Sequence, residues 1–342
     1  MDPVTHLSSG LMGGLAARKW FPDGKFLVPA CMLAAWIPDV DIFFGDGPEF
    51  NLIYHRGIST SFFGTFFLAL ALAGLYKLVS RRTPFVKIAA LFYALALTHV
   101  WLDLITTYGT QILAPFSNHR FALDGAFIID PLFTLTALAL IVAAWLIKKR
   151  RHAIALIGMA WFFAYPLANM GVGAVLQTVY AHRLDAEGIA YDHVHVTPDA
   201  LSPRFWKVVV TAGPDYLLDT MDLFGDREPA APLRVKRADK AFLRKLGEQE
   251  SMFATYAWFT KWPYVEETDT PKGRRLVFHD LRFTSTNPVL AWYYRGKRQP
   301  FTLTAQLDNS GRLAAWSYEG GIRTQDNTGT GGSGTGLEEK IQ

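Results

Sequence analysis

The segment Leu97–Ser117, LTHVWLDLITTYGTQILAPFS, decides how the chain is read. It continues a long apolar run, yet it places His99 and Asp103 four residues apart. On an α-helix, residues at i and i+4 lie one above the other on the same face. An imidazole and a carboxylate on one face of a helix otherwise suited to lipid are costly. Such groups are expected to have partners or a function.

The surrounding composition agrees with a membrane setting. The chain has 342 residues, of which 50% are hydrophobic, and its mean hydropathy is +0.14. Four runs, Ser59–Val79, Phe85–Thr106, Ala126–Ile147 and Ala153–Val179, each approach the ~20 residues that a bilayer requires. Two shorter apolar runs, Val4–Ala17 and Phe26–Ile37, predict a half-buried helical hairpin. The start of the chain carries an acid and a histidine and lacks the basic region of a cleavable signal peptide. Cys31 is the single cysteine, which excludes an intrachain disulfide.

The net charge of +4 is informative through its placement. Arg18, Lys19 and Lys25 fall in the first short connection. Lys77, Arg81, Arg82 and Lys87 surround the second, and Lys148, Lys149, Arg150 and Arg151 the third. The alternate connections, Asp39–Ile58 and Leu104–Gly125, hold only Arg56 and Arg120 as fixed positive charges. By the positive-inside rule the basic turns are cytoplasmic, and the acidic turns and everything after about Tyr180 face outward. Topology thus accounts for the basic character, and no nucleic-acid partner is expected.

After about His182 the pattern changes. FWKVVVTAGPDYLLDTMDLF reads as two strands around a turn, and DKAFLRKLGEQESMFATYAWF has helical period with Asp239 at its start. YVEETDTPKGRRLVFHDLRF and FTLTAQLDNSGRLAAWSYEG read as hairpins with glycine-containing turns. The predicted fold is therefore a mainly α integral membrane helical bundle, residues 1–183, followed by an extracytoplasmic α+β domain, residues 184–320. The Gly/Thr/Ser-rich residues 321–342 read as a flexible tail.

The polar residues of the membrane half gather at one end. Asp39 and Asp41 close the second apolar run, His55 precedes the third, and His99 and Asp103 lie in the outer half of the fourth. Asp130 opens the fifth. Two imidazoles and several carboxylates converging there suit a divalent cation, with zinc the first choice. Each member also has a structural reading. His99 and Asp103 fit an interhelical hydrogen bond, and Asp39 and Asp41 fit helix or turn caps. His55 and Arg56 fit interfacial anchors. Asp130-Pro131 is a sound helix start, and capping is its favoured role. His119 reads as a loop residue. His193 and His195 read as alternating residues of an exposed strand rather than a second metal site. The collection on one face carries the metal reading.

MDPVTH, IPDVD, YHRGIST, THVWLD, TTYGTQILAPFS and FIIDPLFTL occur in an order that resembles the bacterial membrane-bound metal-dependent hydrolase family, the inner-membrane hydrolases of the LexA-binding type. The resemblance covers about Met1–Leu146, and a weaker one reaches FWKVV and VFHDLRF. That family is in turn similar to zinc-dependent phospholipase C, in which His and Asp from helices hold a zinc cluster. The resemblance implies Asp39, Asp41, His55, His99 and Asp103 as ligands, and hydrolysis of a phosphoester. The family reads His-Arg-Gly-x-Thr-His-Ser, whereas Thr60 here replaces the second histidine. His6 stands where relatives often carry Gln and is a peripheral candidate.

The expected function is metal-dependent hydrolysis of a phosphoester or lipid-linked substrate at the outer face of the bacterial inner membrane. Asp39 or Asp41 is the expected general base. Thr106, Thr107 and Tyr108 are peripheral candidates for substrate contact, as is Asp130 for the site's edge. The alternative is a non-enzymatic membrane-anchored binding or envelope scaffold protein. Transport fits poorly, because the acids cluster at one face instead of lining a path through the bilayer. Reporters fused after Arg82 and Arg150 are expected to read cytoplasmic, and fusions near Asn118 and after Ala200 extracytoplasmic. A cytoplasmic signal from the Ala200 fusion would overturn the orientation.

Overall fold

The computed structural model describes residues 1–45, 47–225, 231–293, 299–319 and 321–324. Helix α1 (Pro3–Ala17) starts at Asp2, whose carboxylate accepts from the Thr5 N–H at 3.0 Å, with Pro3 in the first turn. It packs on α2 (Leu27–Trp36) and also against three later helices, α5 (Phe85–Leu104), α6 (Pro131–Leu146) and α7 (Arg151–Ala186). The expected half-buried hairpin is therefore half wrong: α1 is central, with Thr5, His6, Ser9 and Met12 fully enclosed. Gly10 makes this possible. A Cβ there would lie 2.6 Å from the Cys31 carbonyl oxygen and the Met32 Cα, so only glycine allows the two backbones to meet.

A 3₁₀ turn over Ile37–Phe43 follows α2, then α3 (Pro48–Tyr54) and α4 (Phe62–Val79). Ser61 caps α4 by accepting from the Gly64 N–H at 2.9 Å. Three helical segments among the described residues, Phe62–Val79, Phe85–Leu104 and Lys148–Ala186, are long and apolar enough to cross a membrane; α6 is apolar but shorter. Asp130 caps α6 as expected, accepting from the Phe133 N–H at 3.1 Å.

Helix α7 runs 36 residues through the domain boundary expected at 183/184. At 1.5 Å per residue it is about 54 Å long, well beyond the ~30 Å of a hydrocarbon core. Its last turns leave the bundle and bury Leu176, Tyr180 and Leu184 against Val196, Trp206 and Val208 of the C-terminal domain. The helix is thus the strut that joins the two halves.

The C-terminal domain holds two antiparallel sheets. The first contains β1 (His193–Pro198), β2 (Phe205–Ala212), β3 (Asp215–Asp222) and β4 (Leu233–Lys236), in chain order. The second contains β5 (Pro263–Thr270), β6 (Gly273–Asp280), β7 (Leu303–Leu307), β8 (Leu313–Tyr318) and β9 (Gly321–Thr324), also in chain order. Between them lie α8 (Lys240–Leu246) and α9 (Ser251–Phe259), and α10 (Pro288–Tyr293) follows β6. The stretch expected to form one helix is broken at Gly247–Glu250. Asp239 caps α8, its carboxylate accepting from the Ala241 N–H at 2.8 Å. Strand β9 continues the second sheet into residues assigned to the tail, whose remainder, 325–342, lies outside the described residues.

Polar tethers fix this domain to the loop between α5 and α6. The buried Arg282 donates to the Tyr108 carbonyl at 2.8 Å, to the Phe259 carbonyl at 2.7 Å and to Asp280 at 2.8 Å. Asp124 accepts from His195 at 2.9 Å and Lys261 at 3.1 Å, so His195 is a tether and not half of a second metal site. Burial disfavours the Asp124 carboxylate, but the His195 hydrogen bond and the Lys261 ammonium outweigh it and hold its pKa below the ordinary carboxylate range. The stability it contributes is therefore present above about pH 4 and is lost as pH falls through the depressed value. Asp124→Asn is expected to cost about 1–3 kcal/mol at neutral pH and to remove that acid-side loss. Equal unfolding midpoints for the two proteins at pH 7 would dismiss the tether.

Candidate metal centre

The site forms where the start of α1, the end of α2, the loop after α3 and the end of α5 meet. His99 and Asp103 project from one face of α5, as their spacing requires. The His99 Nδ1 is committed to the Ala35 carbonyl at 2.8 Å, which leaves Nε2 as the inward-facing atom. A backbone partner on one ring nitrogen is the usual means of orienting a metal-ligating histidine. The His99 Nε2 lies 3.4 Å from Asp39 Oδ1 and 3.4 Å from Asp103 Oδ2. The His6 ring stacks on His99 with centroids 3.8 Å apart, and its Nε2 lies 3.4 Å from Asp103 Oδ1.

These contacts have ion-pair distances but not hydrogen-bond geometry. Both nitrogens of His6, the Nε2 of His99 and the Oδ2 of Asp103 are buried without a hydrogen-bond partner. Leaving four such atoms unsatisfied in one place is expensive, at about 1–3 kcal/mol each. Their spacing has a simple reading. Two donors bound to one tetrahedral ion at about 2.0–2.2 Å lie about 3.3–3.6 Å from each other.

The donors form two groups of three, His6/Asp39/His99 and Asp39/Asp41/His55, each with ligand atoms within 4.8 Å of one another. Asp39 belongs to both. Of the five residues expected as ligands, Asp39 and His99 thus fall in an inner group, Asp39, Asp41 and His55 in an outer one, and Asp103 in neither. His6, ranked as peripheral from sequence, sits inside the inner one.

Asp103 is only partly available as a ligand. Its Oδ1 meets the Arg56 guanidinium at 3.0 Å and the Met1 ammonium, leaving Oδ2 toward His99. Arg56, read from sequence as an interfacial anchor, is 3% exposed and organises the loop instead. It donates to the Asp103 carbonyl at 3.2 Å and the Thr106 hydroxyl at 2.7 Å, while its own N–H reaches Asp41 Oδ2 at 2.9 Å. It does so from a left-handed conformation, φ 56°, which a non-glycine residue adopts only when its surroundings enforce it. Asp41 also accepts from the Ser59 hydroxyl at 3.2 Å and faces His55 Nδ1 at 3.4 Å.

The remaining candidates separate cleanly. Thr106 serves Arg56 and Asp103. Tyr108 is buried beneath the Arg56 and Arg120 guanidinium groups, 5.0 and 5.4 Å from its ring centroid, and lies edge-on to His55. Thr107, Tyr108, His55 and Arg56 line one cavity of about 620 Å³. Asp130 belongs elsewhere: besides capping α6 it accepts from Tyr165 at 2.7 Å and from the Ser202 hydroxyl. Thr60, in place of the second histidine, is buried and donates to the Gly57 carbonyl at 3.1 Å.

Apolar helices enclosing a histidine–carboxylate cluster at one end define a membrane protein with a candidate metal centre. The chain belongs to the YdjM inner membrane protein family, whose model matches residues 1–177. The match ends within α7, so it spans the bundle and the whole cluster. No curated protein and no solved structure matches the chain. The family assigns a membrane and no reaction.

Asp103→Asn is expected to leave the Arg56 guanidinium buried against a neutral partner and to cost about 3 kcal/mol in denaturant unfolding. An unchanged midpoint would show that the pair does not hold the centre together.

Proposed function

We propose that the chain is a membrane-bound metal-dependent hydrolase acting on a phosphoester or lipid-linked substrate at the outer face of the inner membrane. The observation that carries this reading is the pair of buried, unsatisfied nitrogens on His6 and His99, which with Asp39 bring one ligand atom each within 4.8 Å of one another. Nitrogen and carboxylate donors in that number favour zinc over magnesium or calcium. The outward orientation is supported by the basic turns at the opposite ends of the helices.

A divalent cation held there supplies Lewis-acid chemistry, polarising a phosphoryl oxygen and acidifying water. The chain's own residues do the rest. The inner group, His6, Asp39 and His99, would hold the cation, with Asp103 Oδ2 beside it. Asp41 is the general base: the Arg56 N–H and the Ser59 hydroxyl fix its Oδ2, leaving Oδ1 on the side of His55 to take a proton from water. His55 is partly exposed and borders the cavity, which places it between the cluster and an arriving substrate. The neighbouring Tyr108 ring packs beneath Arg56 and keeps that guanidinium in place.

Detergent-purified protein prepared in metal-replete medium is expected to contain stoichiometric zinc. His99→Ala should lose the ion of the inner group, and His55→Ala should keep it. Metal content and unfolding midpoint are measured together, so that loss of fold is not mistaken for loss of ligand. Wild-type protein without stoichiometric metal would overturn the reading.

A further inference from the structure

The cavity beside His55 is built by both halves of the molecule. The bundle and its loops contribute Ile42, Arg56, Tyr108 and Ile128; the C-terminal domain contributes Lys207, Arg282 and Phe283. Two of its three cations have a carboxylate partner within salt-bridge distance. Arg56 is neutralised by Asp103 and Arg282 by Asp280. The carboxylate of Glu319, at the wall, is tied to the Phe301 N–H at 3.1 Å.

Lys207 is different. It rises from β2 in the first sheet and is 5% exposed. Its ammonium donates to the carbonyls of Leu281 at 3.1 Å and Arg282 at 2.9 Å. Among the described residues no carboxylate lies within 4 Å of it. Backbone carbonyls solvate an ammonium but do not cancel its charge, and an unpaired buried charge costs several kcal/mol. Burial lowers the Lys207 pKa, and the more distant carboxylates of Asp199, Asp280 and Asp124 offset this only in part. An anion in the cavity would reduce this penalty.

The cavity's surroundings say what carries the anion. Ile42 and Ile128 line it and are 54% and 40% exposed, and they are flanked by Phe43, Phe44 and Ile129 at 66%, 63% and 65%. Large apolar side chains displayed at that level, next to helices suited to a bilayer, favour a ligand with an apolar tail over a free ion.

We propose that this cavity receives a phosphate-bearing amphiphile, with Lys207 as the cationic seat for its phosphate and the Ile42/Ile128 edge as the path for its acyl part. The binding stands on the cavity alone; only the claim that the bound molecule is then cleaved rests on the hydrolytic reading above. The C-terminal domain thereby completes the site by supplying a specificity residue that lies outside the matched family region.

The test uses full-length protein in detergent, stripped with chelator, and titrated with dioctanoyl phosphatidic acid, dioctanoylglycerol and inorganic phosphate. Phosphatidic acid is expected to bind at least about tenfold more tightly than either of the others, the margin of one charge-assisted hydrogen bond. Lys207→Met should lose about that factor while keeping or raising the unfolding midpoint, since it replaces a buried charge with an apolar chain of similar length. Lys207→Gln is the second variant should Lys207→Met not fold, and Lys207→Arg should retain binding. Equal affinity for phosphatidic acid and diacylglycerol, or unchanged affinity in both Lys207→Met and Lys207→Gln, would overturn the proposal. Inorganic phosphate binding as tightly as phosphatidic acid would overturn the lipid source. His99→Ala should leave this metal-free binding intact, so failure of the metal reading and failure of this one are told apart.

Discussion

The burial of Asp103 constrains the rest of the molecule. A carboxylate at the end of an apolar helix is tolerated only with compensating charge, and here Arg56 and the Met1 ammonium supply it. Arg56 meets Asp103 from a left-handed backbone conformation, with its N–H donating to Asp41. The same guanidinium holds Thr106 and packs on Tyr108, whose carbonyl in turn accepts from Arg282 of the C-terminal domain. One buried charge is thereby coupled, through consecutive short contacts, to the metal-type donors on one side and to the cavity wall on the other.

The second constraint is mechanical. A 36-residue helix is longer than a hydrocarbon core is thick, and α7 carries its apolar face into the C-terminal domain, where Tyr180 and Leu184 join the core beneath the first sheet. Single-helix attachment alone would leave that domain free to swing. The Asp124, Arg282 and Asp130–Ser202 contacts remove this freedom at three further places. A cavity shared between two units keeps its shape only if both are held, and one of these tethers, Arg282, is part of its wall.

Much of this was legible in the sequence because local rules decide it. Asp130-Pro131 and Asp239 announce helix starts, and the strand pairs at 205–222, 263–280 and 303–318 flank turn residues. The His99–Asp103 pair follows from helical spacing. What escaped depends on tertiary packing. His6 lies on a helix whose small residues, Gly10, Gly13 and Gly14, mark a close helix crossing, and that signal shows a central α1 only once its neighbours are known. Arg56 next to His55 resembles an interfacial anchor until Asp103 is seen to face it. Lys207 offered a plainer cue: a lone charge inside FWKVVVTA, a run buried on both faces, where β2 places it at the middle of the sheet. The break between α8 and α9 follows Gly247, where helix propensity is lowest.

Charge balance links the centre to the cavity. The cluster gathers the carboxylates of Asp39, Asp41 and Asp103 around one fixed cation, the Arg56 guanidinium. Those fixed charges leave two negative charges in excess, which on the proposed reading one divalent cation would balance. A second cation at the outer group would make the centre positive in a low-dielectric setting, where repulsion between like charges is strong. On the proposed reading the inner group of His6, Asp39 and His99 therefore holds the one cation, and the outer group leaves the Asp41 carboxylate free to act as base. An anion seated by Lys207 would be drawn toward that cation, and binding free energies of two ligands coupled in this way are reciprocal. The C-terminal domain, through Lys207, would then bear on metal occupancy without touching the metal.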